Sequence, residues 1–257
     1  MAIFVSADWV EEHIGRPGYL LVDPRSAMRY LMGHLRGAVS VPLKKLQDEQ
    51  GRLRPPDEMA GVFGAAGLGD GVSPVLYDGS DGRNAAMHAW ILEYMGRDDI
   101  HVMDLLFDHW KEQGREVLYR PVAAGERTFT PKVRHEVRAS VDDAANPGTA
   151  RLLDTRSAEE YRGEVEIDQR PGHIPGSIHL AWSELAGAEG RLLIEPERLE
   201  AALSSAGISR GDSVIAYCRS GLRASLPYLA MKQAGYDVRL YDGSYVEWMV
   251  SGNPVEI

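Results

Sequence analysis

Cysteine is nearly absent from the sequence, whose 257 residues include only Cys218. A single cysteine cannot form an internal disulfide, so the sequence favours a reducing compartment and leaves one free thiol to be explained. The eight histidines show no metal-ligand spacing and have only this cysteine to join, a pattern that argues against zinc and iron sites. We therefore predict neither a metal site nor another cofactor.

Basic residues and long apolar segments are also scarce. Lysine and arginine number 28 against 38 aspartate and glutamate residues, which gives a net charge of −10. Nucleic acids and anionic membranes attract cationic surfaces, so neither is expected as a partner, although a local basic pocket could bind a small anion. The N-terminal segment has early acidic residues and no long apolar run, which predicts neither a signal peptide nor a membrane span. The expected location is the cytoplasm.

The sequence contains one internal repeat. Three pairs of segments match in the same order: LVDPRSA (21–27) with LLDTRSA (152–158), GHLRGA (33–38) with GHIPGS (172–177), and VLYD (75–78) with IAYC (215–218). The offset between the copies rises from 131 to 139 residues, so the second copy has eight additional residues within 162–171. The repeat predicts a first domain at 1–115, a linker at 116–144 and a second domain at 145–257.

Within each copy, short apolar runs alternate with segments whose apolar residues have helical spacing. The predicted strands are 19–22, 39–41, 75–77 and 101–103, followed in the second copy by 151–153, 177–180, 214–217 and 238–241. The predicted helices are 57–66, 84–95, 196–206 and 222–234. This alternation predicts two α/β domains, each with a mostly parallel sheet covered by helices on both faces. Sites in such domains lie outside the carboxyl ends of the strands.

The only cysteine directly follows one of these strands. Cys218 begins the loop Cys-Arg-Ser-Gly-Leu-Arg at 218–223, which runs into a predicted helix. The thiol is therefore expected in front of a helix N-terminus, with its unpaired backbone N–H groups. Those groups and the two arginines would stabilise a thiolate, the nucleophilic form of cysteine. Gly221 would let the loop curl so that several amides point at one spot.

A lone cysteine is more often a small buried apolar residue than a nucleophile. In this loop, however, two arginines beside an inert thiol would be buried at large cost unless each found a partner. The position of Cys218 therefore favours a catalytic role.

Several segments together resemble the rhodanese family. They are the loop 218–225, the Asp-x-Arg-Ser boxes at Asp23 and Asp154, the Gly-His-Ile-Pro-Gly box at 172–176 and the closing stretch 242–248. The resemblance covers nearly the whole chain and is greatest to the two-domain bacterial thiosulfate sulfurtransferases. It implies two tandem rhodanese-like domains, a catalytic second domain and an active site between the domains. The first copy has Asp78 where a nucleophile would stand.

The resemblance also implies a mechanism. The Cys218 thiolate would attack the outer sulfur of a donor such as thiosulfate, release sulfite and carry a persulfide that a thiophilic acceptor removes, a ping-pong reaction. The residues expected to bind the donor or cradle the persulfide are Arg219, Ser220, Gly221, Leu222 and Arg223. Arg219 is favoured for the donor anion because Arg223 enters the helix, but either arginine could instead pair with an acid such as Asp154. The acceptor could be cyanide, a dithiol, thioredoxin or a sulfur-carrier protein.

Asp154 and Arg156 are expected to support the site. They follow a strand end and would hold the loops together through charge-assisted hydrogen bonds. The equivalent pair, Asp23 and Arg25, occurs in the copy that has no thiol to serve. A structural role is therefore favoured for both pairs.

One position departs from the mammalian-type mercaptopyruvate enzymes. They carry a carboxylate-binding arginine just before the aromatic residue that is Tyr161 here, and this sequence has Glu160 instead. If Glu160 faces the cleft it would repel a donor carboxylate, which favours thiosulfate over 3-mercaptopyruvate. Arg162 or Arg170 could replace the missing arginine.

Two other classes of function compete with sulfur transfer. Cysteine phosphatases and arsenate reductases resemble Cys-x5-Arg, a loop sized for a tetrahedral oxyanion, whereas residues 218–223 are Cys-x4-Arg and one residue shorter. A non-catalytic interaction module would not need the cysteine, glycine and both arginines that one copy retains. Both alternatives are therefore less favoured.

Overall fold

The computed structural model describes residues 2–79, 81–165 and 169–257, which form two compact units. The first unit extends to Arg134 and includes Ala188–Leu192, and the second comprises His135–Gly187 and Leu193–Ile257. The segment that the sequence assigns to a linker, 116–144, divides between the units after Arg134. Part of the additional segment of the second copy, residues 166–168, lies outside the described residues.

The first unit contains a parallel sheet with flanking helices. Its elements in chain order are β1 (Ile3–Val5), α1 (Ala7–His13), β2 (Tyr19–Asp23), α2 (Ala27–Leu31), β3 (Val39–Ser40), α3 (Pro56–Ala65), β4 (Ser73–Leu76), α4 (Arg83–Tyr94), β5 (His101–Met103) and α5 (Phe107–Glu112). The strand order is β1-β5-β4-β2-β3 and every strand pair is parallel. One core cluster includes the fully buried Trp110, Leu35 and Tyr77.

The second unit repeats this plan with four strands. Its elements are α6 (Val141–Ala145), β6 (Arg151–Asp154), α7 (Ala158–Tyr161), β7 (Ile178–His179), α8 (Pro196–Ser205), β8 (Ser213–Tyr217), α9 (Ser225–Gln233), β9 (Asp237–Leu240) and α10 (Ser244–Val250). The strand order is β7-β6-β8-β9, again with parallel pairs. The core includes Ile215, Tyr217 and Tyr245, each with no exposed surface. The predicted class, α/β with parallel sheets and flanking helices, is confirmed.

The helix boundaries follow local sequence signals. Helices α3 and α8 begin at Pro56 and Pro196 because proline fits the first helical turn, where its missing N–H is not needed. The short helices α2 and α7 begin after Ser26 and Ser157, whose hydroxyls accept the N–H three residues later. One prediction was wrong: α9 begins at Ser225 rather than at 222, because the cysteine loop continues through the preceding three residues.

Candidate active site

Cys218 lies at the carboxyl end of β8, an interior strand of the second sheet. The residue is buried, with 1% of its surface exposed. Its backbone N–H donates to Ser244 Oγ at 3.1 Å, and its carbonyl accepts the N–H of Tyr245 at 3.0 Å. The start of α10 therefore fixes the backbone from which the thiol projects.

The loop after Cys218 turns at Gly221. The φ of Gly221 is +86°, in the left-handed region that glycine adopts without strain. A Cβ at this position would lie 2.7 Å from the carbonyl oxygen of Asp242, a backbone atom that cannot move aside freely. Glycine therefore lets the loop pass closely against the segment before α10.

The N-terminus of α9 has no side-chain cap. Ala224 occupies the N-cap position and offers no acceptor for the first N–H groups of the helix. The hydroxyl of Ser225 donates instead to the carbonyl of Leu222 at 2.8 Å. Because a helix N-terminus carries partial positive charge, this end of α9 suits a negatively charged group held by the loop.

Arg223, in the loop that Cys218 begins, is paired with an acid. Its Nη1 and Nη2 donate to Oε2 and Oε1 of Glu160 at 2.6 and 2.8 Å. Burial acts to lower the pKa of Arg223, but the bond to Glu160 and the charge of Cys218 outweigh burial, so the pKa is raised. The guanidinium is therefore a permanent positive charge in the cysteine loop.

The remaining loop residues are more accessible. Arg219 and Leu222 are half-buried and Ser220 is exposed. The carbonyl of Arg219 accepts the N–H of Val246 at 3.0 Å, which ties this part of the loop to α10 as well. Solvent can therefore reach the loop at Arg219 and Ser220.

Asp154 and Arg156 form a buried ion pair at the end of β6. The carboxylate accepts Nε of Arg156 at 3.0 Å and Nη2 at 2.6 Å. The same Nη2 donates to the carbonyl of Gly172 at 2.7 Å, and the guanidinium carbon lies 4.0 Å from the ring centroid of Tyr245. The pair therefore joins β6 to the first turn of α10, whose backbone holds Cys218.

Asp78 has the position of Cys218 in the first unit. Its carboxylate accepts the backbone N–H groups of Gly79 at 2.7 Å, Asn84 at 2.6 Å and Ala85 at 3.1 Å. The loop of the first copy thus binds a carboxyl group that belongs to the chain itself, and burial raises the pKa of this group.

Glu160 is paired through its carboxylate with an arginine of the cysteine loop. Its side chain is 6% exposed and both carboxylate oxygens are bound by Arg223. A sequence signal for this arrangement was present, because Ser157 and Glu160 form the S-x-x-E capping box that fixes a glutamate at a helix start. Ser244 and Tyr245, which hold the backbone of Cys218, were part of the closing stretch but were not predicted to belong to the site.

The two arginines considered as replacements bind other groups. Arg162 pairs with Glu164 through contacts of 2.7 and 2.9 Å. Arg170 Nη1 donates to the carbonyl of Asn253 at 2.7 Å. The structure therefore commits both side chains to interactions that do not involve the cysteine loop.

The described residues include neither a metal-binding cluster nor a membrane-spanning helix. No group of three or more histidine, cysteine, aspartate or glutamate side chains within 2–79, 81–165 and 169–257 could hold a metal ion. Over the same residues, no helix has both the length and the apolar character needed to span a bilayer.

Comparison with known proteins identifies the family. A model of the rhodanese-like domain matches residues 6–113 and 136–251. A "putative thiosulfate sulfurtransferase" of Haloferax volcanii is 32% identical over 276 residues, covering 99% of this chain and 96% of the relative. "Sulfur carrier protein TtuD" of Thermus thermophilus is 29% identical over 266 residues, covering 96% and 93%. The chain belongs to the rhodanese family of sulfurtransferases, and both copies of its repeat are rhodanese-like domains.

A solved structure agrees with this assignment. SseA from Escherichia coli, described as a 3-mercaptopyruvate sulfotransferase, superposes with a TM-score of 0.86 at 28% identity. The match covers 95% of this chain and 99% of that chain. The relatives therefore include proteins named for two different sulfur donors.

Proposed function

We propose that this protein transfers the outer sulfur of thiosulfate to a thiophilic acceptor through a persulfide on Cys218. The observation that carries the proposal is the position of Cys218, which follows the carboxyl end of β8 and begins the loop that holds Arg223 and ends at the uncapped N-terminus of α9. A cysteine acts as a nucleophile through its thiolate, which a nearby cation and backbone N–H donors stabilise. The name of the Haloferax volcanii relative supports thiosulfate as the donor.

The reaction proceeds in two balanced steps. In the first, the Cys218 thiolate attacks the outer sulfur of thiosulfate, a new sulfur–sulfur bond forms, and the old one breaks with its electron pair leaving on sulfite. The outer sulfur of the persulfide then carries the negative charge. In the second, an acceptor nucleophile such as cyanide attacks that outer sulfur, and the electron pair of the persulfide bond returns to Cys218. The enzyme thus alternates between a thiolate and a persulfide.

Within this mechanism the two loop arginines have different roles. Both terminal nitrogens of Arg223 bind Glu160, and the charge of Cys218 helps to raise the pKa of Arg223. We therefore assign Arg223 to the sulfur and Arg219, on the accessible side of the loop, to the sulfonate group of the donor. The backbone N–H groups from Arg219 to Ala224 would surround the persulfide.

The surroundings of position 160 favour thiosulfate over 3-mercaptopyruvate. Mercaptopyruvate adds a carboxylate that a dedicated arginine would bind, whereas thiosulfate presents one compact anion. Arg223 is bound by Glu160, and Arg162 and Arg170 are bound to other partners. No one of these three arginines is therefore available to a donor carboxylate.

The chemistry of a persulfide indicates which classes of acceptor and which compartment suit the protein. Cyanide and small thiols can remove a sulfur from a persulfide, and so can a thioredoxin-like or sulfur-carrier protein. The name of the Thermus thermophilus relative supports a role in sulfur delivery. A nucleophilic cysteine must stay reduced between turnovers, which suits the cytoplasm.

The test is the intact mass of the protein after incubation with thiosulfate. The protein should gain the mass of one sulfur atom and lose it when cyanide is added, with thiocyanate as product. Cys218→Ala should show neither the mass gain nor the thiocyanate. Full sulfur transfer by Cys218→Ala would contradict the proposal, and faster transfer from 3-mercaptopyruvate than from thiosulfate would contradict the choice of donor.

A further inference from the structure

Glu160 occupies a position that no substrate role explains. Its carboxylate is fixed from two sides: Oε2 accepts the backbone N–H of Ser157 at 3.1 Å, and both oxygens bind Arg223. With 6% of its side chain exposed, it is committed to the protein rather than to solvent. A carboxylate bound on both sides has little capacity left to act on a donor.

The contacts of Glu160 lead into the cysteine loop. The capping box anchors Glu160 to the start of α7, and Glu160 holds the two terminal nitrogens of Arg223, which lies five residues after Cys218 in the same loop. The charge of Cys218 is among the causes that raise the pKa of Arg223. Arginine is a long side chain with several rotatable bonds, so its position beside a buried sulfur depends on what fixes its far end. A bidentate carboxylate fixes both the place and the plane of a guanidinium.

We propose that Glu160 is a positioning residue that holds the Arg223 guanidinium against the sulfur of Cys218. The inference rests on the proposed function, since it concerns the reactivity of the same thiol. Glu160 acts through Arg223 and contacts no reacting atom. Its negative charge opposes the thiolate, so its benefit lies in geometry, not in charge.

The equivalent helix position also lies close to the loop in the first unit. Arg29 stands at the position of Glu160, 131 residues earlier, and Asp78 stands at the position of Cys218. Arg29 Nη1 lies 3.7 Å from where a Cβ on Gly79 would be, so this helix position approaches the loop in the first copy as well. The short helix therefore lies beside this loop in the first copy, as it does beside the cysteine loop in the second.

The test measures the reactivity of Cys218 without any sulfur donor. Alkylation by iodoacetamide, a neutral reagent, is followed from acidic to mildly alkaline pH in the wild type, Glu160→Gln and Glu160→Ala. We expect the rate at neutral pH to fall in that order, by about tenfold or more in Glu160→Ala, because a displaced catalytic group loses rate steeply. Gln should retain part of the rate because it still accepts a hydrogen bond from Arg223. The pH profile of Glu160→Ala should move towards alkaline pH.

Whether the Glu160 variants are alkylated more slowly or faster than the wild type distinguishes a role in geometry from a role of the charge. If Glu160 acts mainly through its charge, its removal favours the thiolate and both variants react faster than the wild type, which would overturn the proposal. A purely structural role would lower the unfolding temperature and leave the rate per folded molecule unchanged, which would also overturn it. Glu164→Gln is the matched control, since Glu164 binds Arg162 through two contacts but is half-exposed.

A double-mutant cycle shows whether Glu160 acts through Arg223. In an Arg223→Met background, Glu160→Ala should have no further effect on alkylation, whereas an independent role would lower the rate by the same factor in both backgrounds. If Glu160→Ala does not fold, Glu160→Gln in both backgrounds gives the same comparison. Alkylation requires no thiosulfate, so a failure of the mass gain alone rejects the proposed function. If the mass gain occurs but both Glu160 variants are alkylated at the wild-type rate, only the positioning role is rejected.

Discussion

The Glu160 carboxylate is ionised although its surroundings are largely buried. Burial acts to raise the pKa of Glu160, but the hydrogen bonds from Arg223 and Ser157 outweigh burial, so the pKa is lowered from 4.5. An acid whose pKa is lower in the folded state stabilises the fold above its unfolded pKa and loses that contribution as pH falls through the folded value. The pair with Arg223 is therefore complete at neutral pH and is lost on strong acidification.

This shift predicts a pH-dependent difference between the wild type and Glu160→Gln. The gap between their unfolding temperatures should be largest near neutral pH and should narrow as pH falls below about 4.5, where the unfolded chain takes up the proton. Thermal unfolding by circular dichroism over a series of pH values measures the gap. Glu164→Gln should show a smaller gap throughout, because exposed pairs contribute little. A gap that does not change with pH would show that the ion pair is not its source.

At the scale of elements, apolar runs predicted most of the strands and missed β1 and the shorter helices. All eight predicted strands are present, because strands of a covered parallel sheet read as short apolar runs. Helices α2 and α7, of five and four residues, are too short to show a helical period. The start of α9 could not be read from the pattern, because the three residues before it belong to the cysteine loop and carry no breaker after Gly221.

The start of α10 holds the backbone of Cys218 through one hydroxyl, that of Ser244. Ser244 has a φ of +54°, a conformation that costs a residue with a Cβ about 1–2 kcal/mol. Its Oγ accepts the N–H of Cys218 at 3.1 Å and donates to the carbonyl of Tyr241 at 2.7 Å. Ser244 is fully buried, so no solvent replaces these bonds when the hydroxyl is removed.

We therefore expect Ser244→Ala to lower the free energy of unfolding by about 1–3 kcal/mol, the cost of leaving buried polar groups without partners. Ser244→Gly loses the same hydroxyl but relieves the left-handed backbone, so it should be more stable than Ser244→Ala by about 1 kcal/mol. Denaturant unfolding gives both values. Equal stability of Ser244→Ala and the wild type would mean that the hydroxyl does not hold the Cys218 backbone.

At the scale of the whole molecule, the internal repeat predicted the domain organisation, which the amino-acid composition could not. Matching segments identified two copies of one α/β plan and the copy that carries the thiol. The partners of the loop could not be predicted in the same way, because Glu160 and Arg223 are 63 residues apart and meet only through folding. From the sequence, Glu160 was expected to repel a donor carboxylate, and an acid such as Asp154 was considered as a partner of Arg223. The pair of Glu160 with Arg223 was not predicted, since a charge pattern shows which groups are present and not which of them bind one another.

In the first copy, we expect a substitution of Asp78 to change the stability of the protein but not its rate of sulfur transfer. Asp78→Asn replaces a carboxylate that accepts three backbone N–H groups by an amide with a single acceptor oxygen. The variant should lose about 1–3 kcal/mol of unfolding free energy, because some of these buried N–H groups lose their acceptor. Asp81→Asn, in the same loop, should cost less because Asp81 is 29% exposed.

Sulfur transfer should respond differently from stability. The contacts of the Asp78 carboxylate with Gly79, Asn84 and Ala85 lie within the first unit, whereas the thiol, Arg223 and Glu160 belong to the second. We therefore expect kcat/KM for thiosulfate in Asp78→Asn to stay within about twofold of the wild-type value at a temperature where both are folded, since effects at independent sites do not couple. A folded Asp78→Asn protein that no longer transfers sulfur would show that the first copy takes part in the chemistry, and Asp78 would then belong to the active site.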